Sequence, residues 1–201
     1  MEEKNVTFES LGLSEAMLKA LEQKGYGYPT TIQAEAIAPL DILRRSGVKI
    51  LTVGIDEKTV LGSHRIPVVA DITLDEMDLT DMDMVIIPGG MGGVASLRAC
   101  PRALEALRFG WENGKYVAAI CAGPTVLADL GITEGRRTTC YPGQEVNMGG
   151  AKMEKDAAVV VDGKLITGTS AGCAIPFGLA LAEALKGKET AQKVREQIVI
   201  R

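Results

Sequence analysis

The chain has one histidine, His64, among its 201 residues, no Cys-x-x-Cys pair, no dense run of lysine and arginine, and no long apolar stretch. Each absence excludes something. A zinc site would have to draw on four scattered cysteines, Cys100, Cys121, Cys140 and Cys173, and that single imidazole, so no metal is expected. Any Cys-His dyad would need His64, which stands in the excursion Gly62-Ser-His-Arg65 and is expected to lie away from Cys121. With a net charge of −4 and no basic cluster, neither nucleic acid nor an anionic membrane is an expected partner. No apolar run approaches the ~20 residues needed to span a bilayer. The first thirty residues are polar and acidic rather than a basic start followed by an apolar stretch, so a cytoplasmic location with free thiols is expected. Cys100 and Cys173 read as small buried hydrophobes.

What is present reads as one α/β domain with an N-terminal appendage. Ser14 to Lys24 has the cap, spacing and closing Gly25 of a helix. After the turn Tyr26-Gly-Tyr-Pro29, Thr30 or Thr31 caps a second helix over Ile32 to Arg45, in which Pro39 is the awkward residue. From Gly47 onward strands and helices alternate: a strand Val48–Ile55, a hairpin-like excursion Lys58–Val69, and a short buried strand Met84–Ile87. A helix over Val94–Phe109, a strand ending at Cys121, a helix to Leu130, a strand near Thr138–Tyr141 and a hairpin Ala158–Thr167 follow. Helices Ala174–Leu185 and Thr190–Gln197 complete the pattern, which implies a mostly parallel sheet covered on both faces.

The stretch Lys115-Tyr-Val-Ala-Ala-Ile-Cys121-Ala-Gly-Pro124 carries the chemistry. A β-branched run ends on a cysteine and a Gly-Pro pair opens a helix, so the sulfur sits at a strand's carboxyl end facing a helix amino end. Unpaired N–H groups and the helix dipole there favour a thiolate, which makes Cys121 a candidate nucleophile. The turn Pro88-Gly-Gly-Met-Gly-Gly93 lacks the Gly-x-Gly-x-x-Gly spacing of a dinucleotide site, and no cofactor is expected. It either serves as a plain turn or brings the N–H of Gly90, with that of Ala122, to a developing oxyanion. The acids between Asp71 and Asp83 lack the ligand spacing of a calcium loop and read as a solvated segment.

Glu35-Ala-Ile-Ala-Pro-Leu-Asp-Ile-Leu-Arg-Arg-Ser-Gly47, Val85-Ile-Ile-Pro-Gly-Gly90, Ala118-Ala-Ile-Cys-Ala-Gly-Pro124, Thr139-Cys-Tyr-Pro-Gly143 and Leu165-Ile-Thr167 together resemble the DJ-1/PfpI superfamily, which has a class I glutamine amidotransferase-like fold and includes glyoxalase-like, deglycase-like, redox-sensing and protease-like proteins. The resemblance runs from Glu35 to Arg201 in the family's order. It implies a flavodoxin-like three-layer sandwich and a homodimer. It also implies that Cys121 is the reactive thiol, Glu35 a protonated acid bonded to it, and Gly90 and Ala122 the oxyanion donors. The protease-like branch has histidine directly after the cysteine; Ala122 stands there, so proteolysis is not expected. Gly168-Thr-Ser-Ala-Gly-Cys173 and Cys140-Tyr141 depart from the family's usual pocket residues.

The segment Gly25-Tyr-Gly-Tyr-Pro-Thr-Thr-Ile-Gln33, with Phe8 upstream, is similar to the Q motif of DEAD-box RNA helicases. The phosphate-binding loop and acidic motif of those enzymes are missing, so neither ATP hydrolysis nor ATP binding is expected; weak adenine contact at Gln33 and its neighbours is the sharper reading and a helical scaffold the plainer one. The two resemblances meet at Ala34-Glu-Ala-Ile37, which suggests a chimera: residues 1–34 helicase-like, residues 35–201 the α/β domain, with the domain's first strand replaced by the helical segment. That strand would be substituted by Asn5–Phe8, lost with rearrangement of the sheet, or exchanged between subunits. The expected function is a cysteine-dependent glyoxalase or deglycase acting on a small-molecule carbonyl substrate, a reactive dicarbonyl or its early adduct. The alternatives are a non-catalytic redox sensor or chaperone-like domain, and an inactive chimera.

Overall fold

A computed structural model describes residues 33–62 and 66–200. The helix at 14–24, the candidate strand at Asn5–Phe8, most of the Q-motif segment and His64 lie outside the described residues. The strands are β1 (Val53–Gly54), β2 (Thr59–Leu61), β3 (Pro67–Val69), β4 (Ile72–Thr73), β5 (Met84–Ile87), β6 (Tyr116–Ile120), β7 (Arg137–Thr138), β8 (Lys152–Met153), β9 (Val159–Asp162) and β10 (Leu165–Gly168). The α-helices are α1 (Ala38–Arg45), α2 (Met91–Ala99), α3 (Pro101–Glu112), α4 (Pro124–Asp129), α5 (Ala174–Lys186) and α6 (Lys188–Gln197).

The central sheet runs β5-β6-β10-β9, parallel except for the β9–β10 hairpin. Strand alternation divides its side chains between two cores. Ala118, Ile120 and Ile166 face a layer that holds Leu43 of α1, Phe177 and Leu181 of α5, and Val194 of α6. Val117, Ala119 and Leu165 face the opposite layer, with Val94 of α2, Leu107 of α3 and Val126 and Leu127 of α4. This is the mostly parallel sheet, covered on both faces, that the alternating pattern implied, and the flavodoxin-like three-layer α/β sandwich that the family resemblance implied.

Several elements differ from the sequence reading. The strand expected over 48–55 reduces to Val53–Gly54, paired parallel to Ile72–Thr73 in a separate ladder. Among the described residues no ladder joins that pair to β5. Thr52 is instead tied to Asp71, whose Oδ2 accepts from its N–H at 2.8 Å and from its hydroxyl at 2.9 Å. The helix expected over 94–109 is two, because Pro101 has no N–H to continue the first and opens the second. The strand near 138–141 is Arg137–Thr138. The acids of the 71–83 segment act locally: Glu76 closes a capping box with Thr73, and Asp78 accepts from the Thr80 N–H at 2.8 Å. Cys100 and Cys173 are half-buried rather than buried, and all four thiols are free.

Pro39 sets the entry to α1. A proline cannot donate to the carbonyl four residues back, here that of Glu35. The backbone takes a π turn over Gln33–Ile37 and the α-helix begins at Ala38, so Pro39 falls in the first turn, where an N–H would have no helical partner anyway. The wide turn carries Glu35 into the interior. Among the described residues no helix is long and apolar enough to cross a membrane.

Candidate active site

Cys121 directly follows β6, whose residues Val117 to Ile120 are fully buried. Its φ of 62° is in the left-handed region that side chains other than glycine rarely adopt. Neighbouring backbone holds this strain: the Cys121 N–H donates to the Gly168 carbonyl at 2.9 Å, and the Cys121 carbonyl accepts from the Tyr141 N–H at 2.8 Å. The sharp turn lifts the sulfur off the end of the strand toward the start of α4, as the strand-turn-helix pattern implies.

Glu35 reaches the same place from the π turn. Its Oε2 accepts from the Gly89 N–H at 2.7 Å, and its carboxyl group is close enough to the Cys121 thiol for the two groups to shift each other's pKa. Oε1 is buried without a hydrogen-bond partner among the described residues. The residue is 1% exposed, and burial raises its pKa from 4.5 to about 7 against the opposing pull of Cys121 and the Gly89 N–H. A neutral acid tolerates an unpartnered buried oxygen far better than a carboxylate does.

The thiol does not have the low pKa expected of a helix amino end. Burial pushes it up to about 12, and the charge of Glu35 adds to the rise. The opposing influences are hydrogen bonds from the backbone N–H groups of Ala122 and Gly90. When Glu35 is protonated its charge no longer opposes a thiolate. Cys121 and Glu35 are therefore a coupled pair in which a charge on one opposes a charge on the other.

The structure brings together all four residues singled out in the sequence: Cys121, Glu35, Gly90 and Ala122. The sequence reading missed Gly89. A Cβ there would stand 2.6 Å from Cys121 Cβ, 2.8 Å from Glu35 Oε2 and 2.9 Å from the Ala122 nitrogen, so only glycine lets the two segments meet. The Gly-Gly of the turn was the available signal. Cys140, one residue before the Tyr141 that bonds to Cys121, is buried, with its pKa raised to about 11 mainly by desolvation. It behaves as a small hydrophobe. Thr139 and Thr169 share a 3.0 Å hydroxyl contact, and the Thr139 N–H donates to the Thr167 hydroxyl at 3.0 Å, fixing the departing segments beside the elbow.

The profile of the DJ-1/PfpI family matches residues 28–184. Protein dj-1beta of Drosophila melanogaster is 34% identical over 174 residues, covering 86% of this chain and 93% of its own. Its crystal structure superposes with a TM-score of 0.81, covering 86% of this chain and 94% of the other. The glutathione-independent glyoxalase DJR-1.2 of Caenorhabditis elegans is 34% identical over 157 residues, 78% of this chain and 84% of its own. The structure of oxidized Toxoplasma gondii DJ-1 is similar at a TM-score of 0.79 with 31% identity, covering 85% of this chain and 93% of that one.

Proposed function

Because this chain belongs to the DJ-1/PfpI family, we propose that it is a cysteine-dependent enzyme of glyoxalase or deglycase type, acting on reactive dicarbonyls such as methylglyoxal or on their early adducts. The observation that carries the reading is the buried Glu35–Cys121 pair beside the Gly90 and Ala122 N–H groups. The similarity to a relative named as a glutathione-independent glyoxalase supports it.

In this reading the Cys121 S–H bond breaks and its proton passes to the Glu35 carboxylate as the sulfur adds to the aldehyde carbon, forming a carbon–sulfur bond, and the carbonyl π electrons move to oxygen. The N–H groups of Gly90 and Ala122 hold that oxyanion. Glu35, whose pKa of about 7 lets it take and give protons near neutral pH, returns the same proton to the oxygen and completes the hemithioacetal. Addition and proton transfer consume no oxidant or reductant. The protein acts as a homodimer on a small carbonyl compound, and sedimentation of the full chain checks the assembly. The chimeric division into a helicase-like segment 1–34 and an α/β domain 35–201 belongs to the same proposal; the family match begins at residue 28, inside that segment.

The test is methylglyoxal consumption by the purified chain and by its Cys121→Ala variant. The variant is expected to lose turnover entirely, and equal consumption by both proteins would overturn the assignment. If the intact chain consumes none while peroxide adds two oxygens to Cys121, the redox-sensing reading takes its place.

A further inference from the structure

The two N–H groups at the Cys121 sulfur belong to different elements. Gly90 immediately precedes α2, and its carbonyl accepts the first bond of that helix, from the Val94 N–H at 2.9 Å. Ala122 precedes α4. The spacing of the two donors therefore depends on how α2 and α4 are held against each other. Beneath the site they share an apolar contact through Val94, Val126 and Leu127, all fully buried. Such a contact sets the distance between helices but permits them to slide and turn.

Arg98, in the last turn of α2, supplies a directional link. Its Nε donates to Asp129 Oδ2 at 2.7 Å and its Nη2 donates to the Thr125 hydroxyl at 3.1 Å. Both acceptors are on α4, one near each end. Thr125 is 2% exposed, and its hydroxyl in turn donates to the Ala122 carbonyl at 2.7 Å, which also accepts from the Thr125 N–H at 3.1 Å. A guanidinium group can only donate, so it fixes the polarity of this chain: the hydroxyl accepts from Arg98 and its single proton points at Ala122. The Ala122 carbonyl and N–H are separated by one Cα, so anchoring one aims the other. The Arg98–Asp129 pair is exposed to water and as an ion pair alone contributes little. Its planar fork is what allows one side chain to hold two partners.

We propose that Arg98 is a positioning residue for the site, acting through Thr125 to fix the Ala122 N–H relative to the Gly90 N–H across the Cys121 sulfur. The proposal rests on the reading of Cys121 as the working nucleophile, and it adds a residue that touches neither sulfur nor substrate. Removing the link leaves the sulfur and Glu35 in place but misaligns one of its two donors.

The experiment is site-resolved alkylation of Cys121 by iodoacetamide in the full chain, measured as a function of pH and read by mass spectrometry. At any pH below the thiol's midpoint the rate follows the thiolate fraction. Arg98→Met keeps the apolar stem and removes the fork; it is expected to slow Cys121 alkylation about tenfold, equivalent to one pKa unit. Thr125→Val should reproduce that loss and add nothing further in the Arg98→Met background, and it carries the test alone if Arg98→Met fails to fold. Asp129→Asn, which breaks only the exposed ion pair, should leave the rate unchanged. Wild-type alkylation in Arg98→Met, or an equal slowing in Asp129→Asn, would overturn the proposal. The readout needs no dicarbonyl turnover, so a chain inactive on methylglyoxal can still confirm or sink the role of Arg98. Conversely, methylglyoxal turnover with unaltered alkylation would leave the enzyme reading standing and remove Arg98 from it.

Discussion

Gly89 has no room for a side chain, and two of the atoms that exclude one are fixed by backbone. The Cβ of Cys121 and the nitrogen of Ala122 cannot rotate away from an added methyl group, whereas Glu35 Oε2 can. Gly89→Ala should therefore push the elbow off the Pro88 turn and displace the Glu35 carboxyl from the Gly89 N–H. Overpacking of this kind costs roughly 1–3 kcal/mol. The expected outcome is a lowered denaturant midpoint together with a changed pH dependence of Cys121 alkylation. An unchanged profile would mean that Glu35 is not held by the contact with Gly89.

Among the elements, α1 and α5 decide where Glu35 sits. They cross closely at Gly178, where an added Cβ would stand 2.8 Å from Ile42 Cδ1 and 3.0 Å from the Pro39 Cα. The Ile42 side chain can adjust but the Pro39 backbone cannot without moving the π turn behind it. Gly178→Val should separate the two helices, cost roughly 1–3 kcal/mol, and carry Glu35 away from Cys121. A melting curve and Cys121 alkylation, compared in the same protein, check both parts; a destabilised variant with unaltered thiol reactivity would show that the π turn holds Glu35 without α5.

The elements also show what was legible. Strands β5 and β6, the β9–β10 hairpin and helices α5 and α6 follow the expected periods because each buries its own apolar stripe or face in a packed layer. The run Val48–Thr52 has the same local pattern as a strand, yet it joins no ladder among the described residues. A strand exists only when a neighbour supplies its hydrogen bonds, and no local signal reports that neighbour. The π turn was hidden for a related reason. The sequence announced a conflict at Pro39, but whether the helix would kink, break or widen depended on α5 packed against it.

For the whole molecule, buried and exposed acids act on stability in opposite directions. Glu35 is raised from 4.5 to about 7, so its contribution is fully present below the unfolded pKa and is lost as pH rises through the folded one. Across that window the loss is roughly 3 kcal/mol. Cys121, raised from 9.0 to about 12, weakens the fold further in the alkaline range by the same sign. Asp71, Glu76, Asp78 and Glu154 are lowered by local hydrogen bonds, and their contribution is lost instead as pH falls. The melting temperature should therefore fall in acid and fall again between about pH 4.5 and 7. Glu35→Gln should flatten the second decline and leave the first intact. A parallel pH profile in the variant would place the ionisation elsewhere.

By itself the sequence determined the elbow. A β-branched run, a cysteine and a Gly-Pro pair are consecutive, and consecutive residues are close whatever the rest of the chain does. It also determined the two-faced sheet, because alternation along Val117 to Ile120 assigns each side chain to a layer before any helix has packed. Only the tertiary structure decided the chemistry of the sulfur. Glu35, Gly89 and Gly90 come from distant segments, and the linkage from Arg98 through Thr125 crosses between helices. The pKa values of Glu35 and Cys121 follow from desolvation, which is a property of the whole packed interior rather than of neighbours in sequence. That is why the local pattern located the elbow at Cys121 and favoured a thiolate there, whereas burial and the charge of Glu35 push the thiol pKa up.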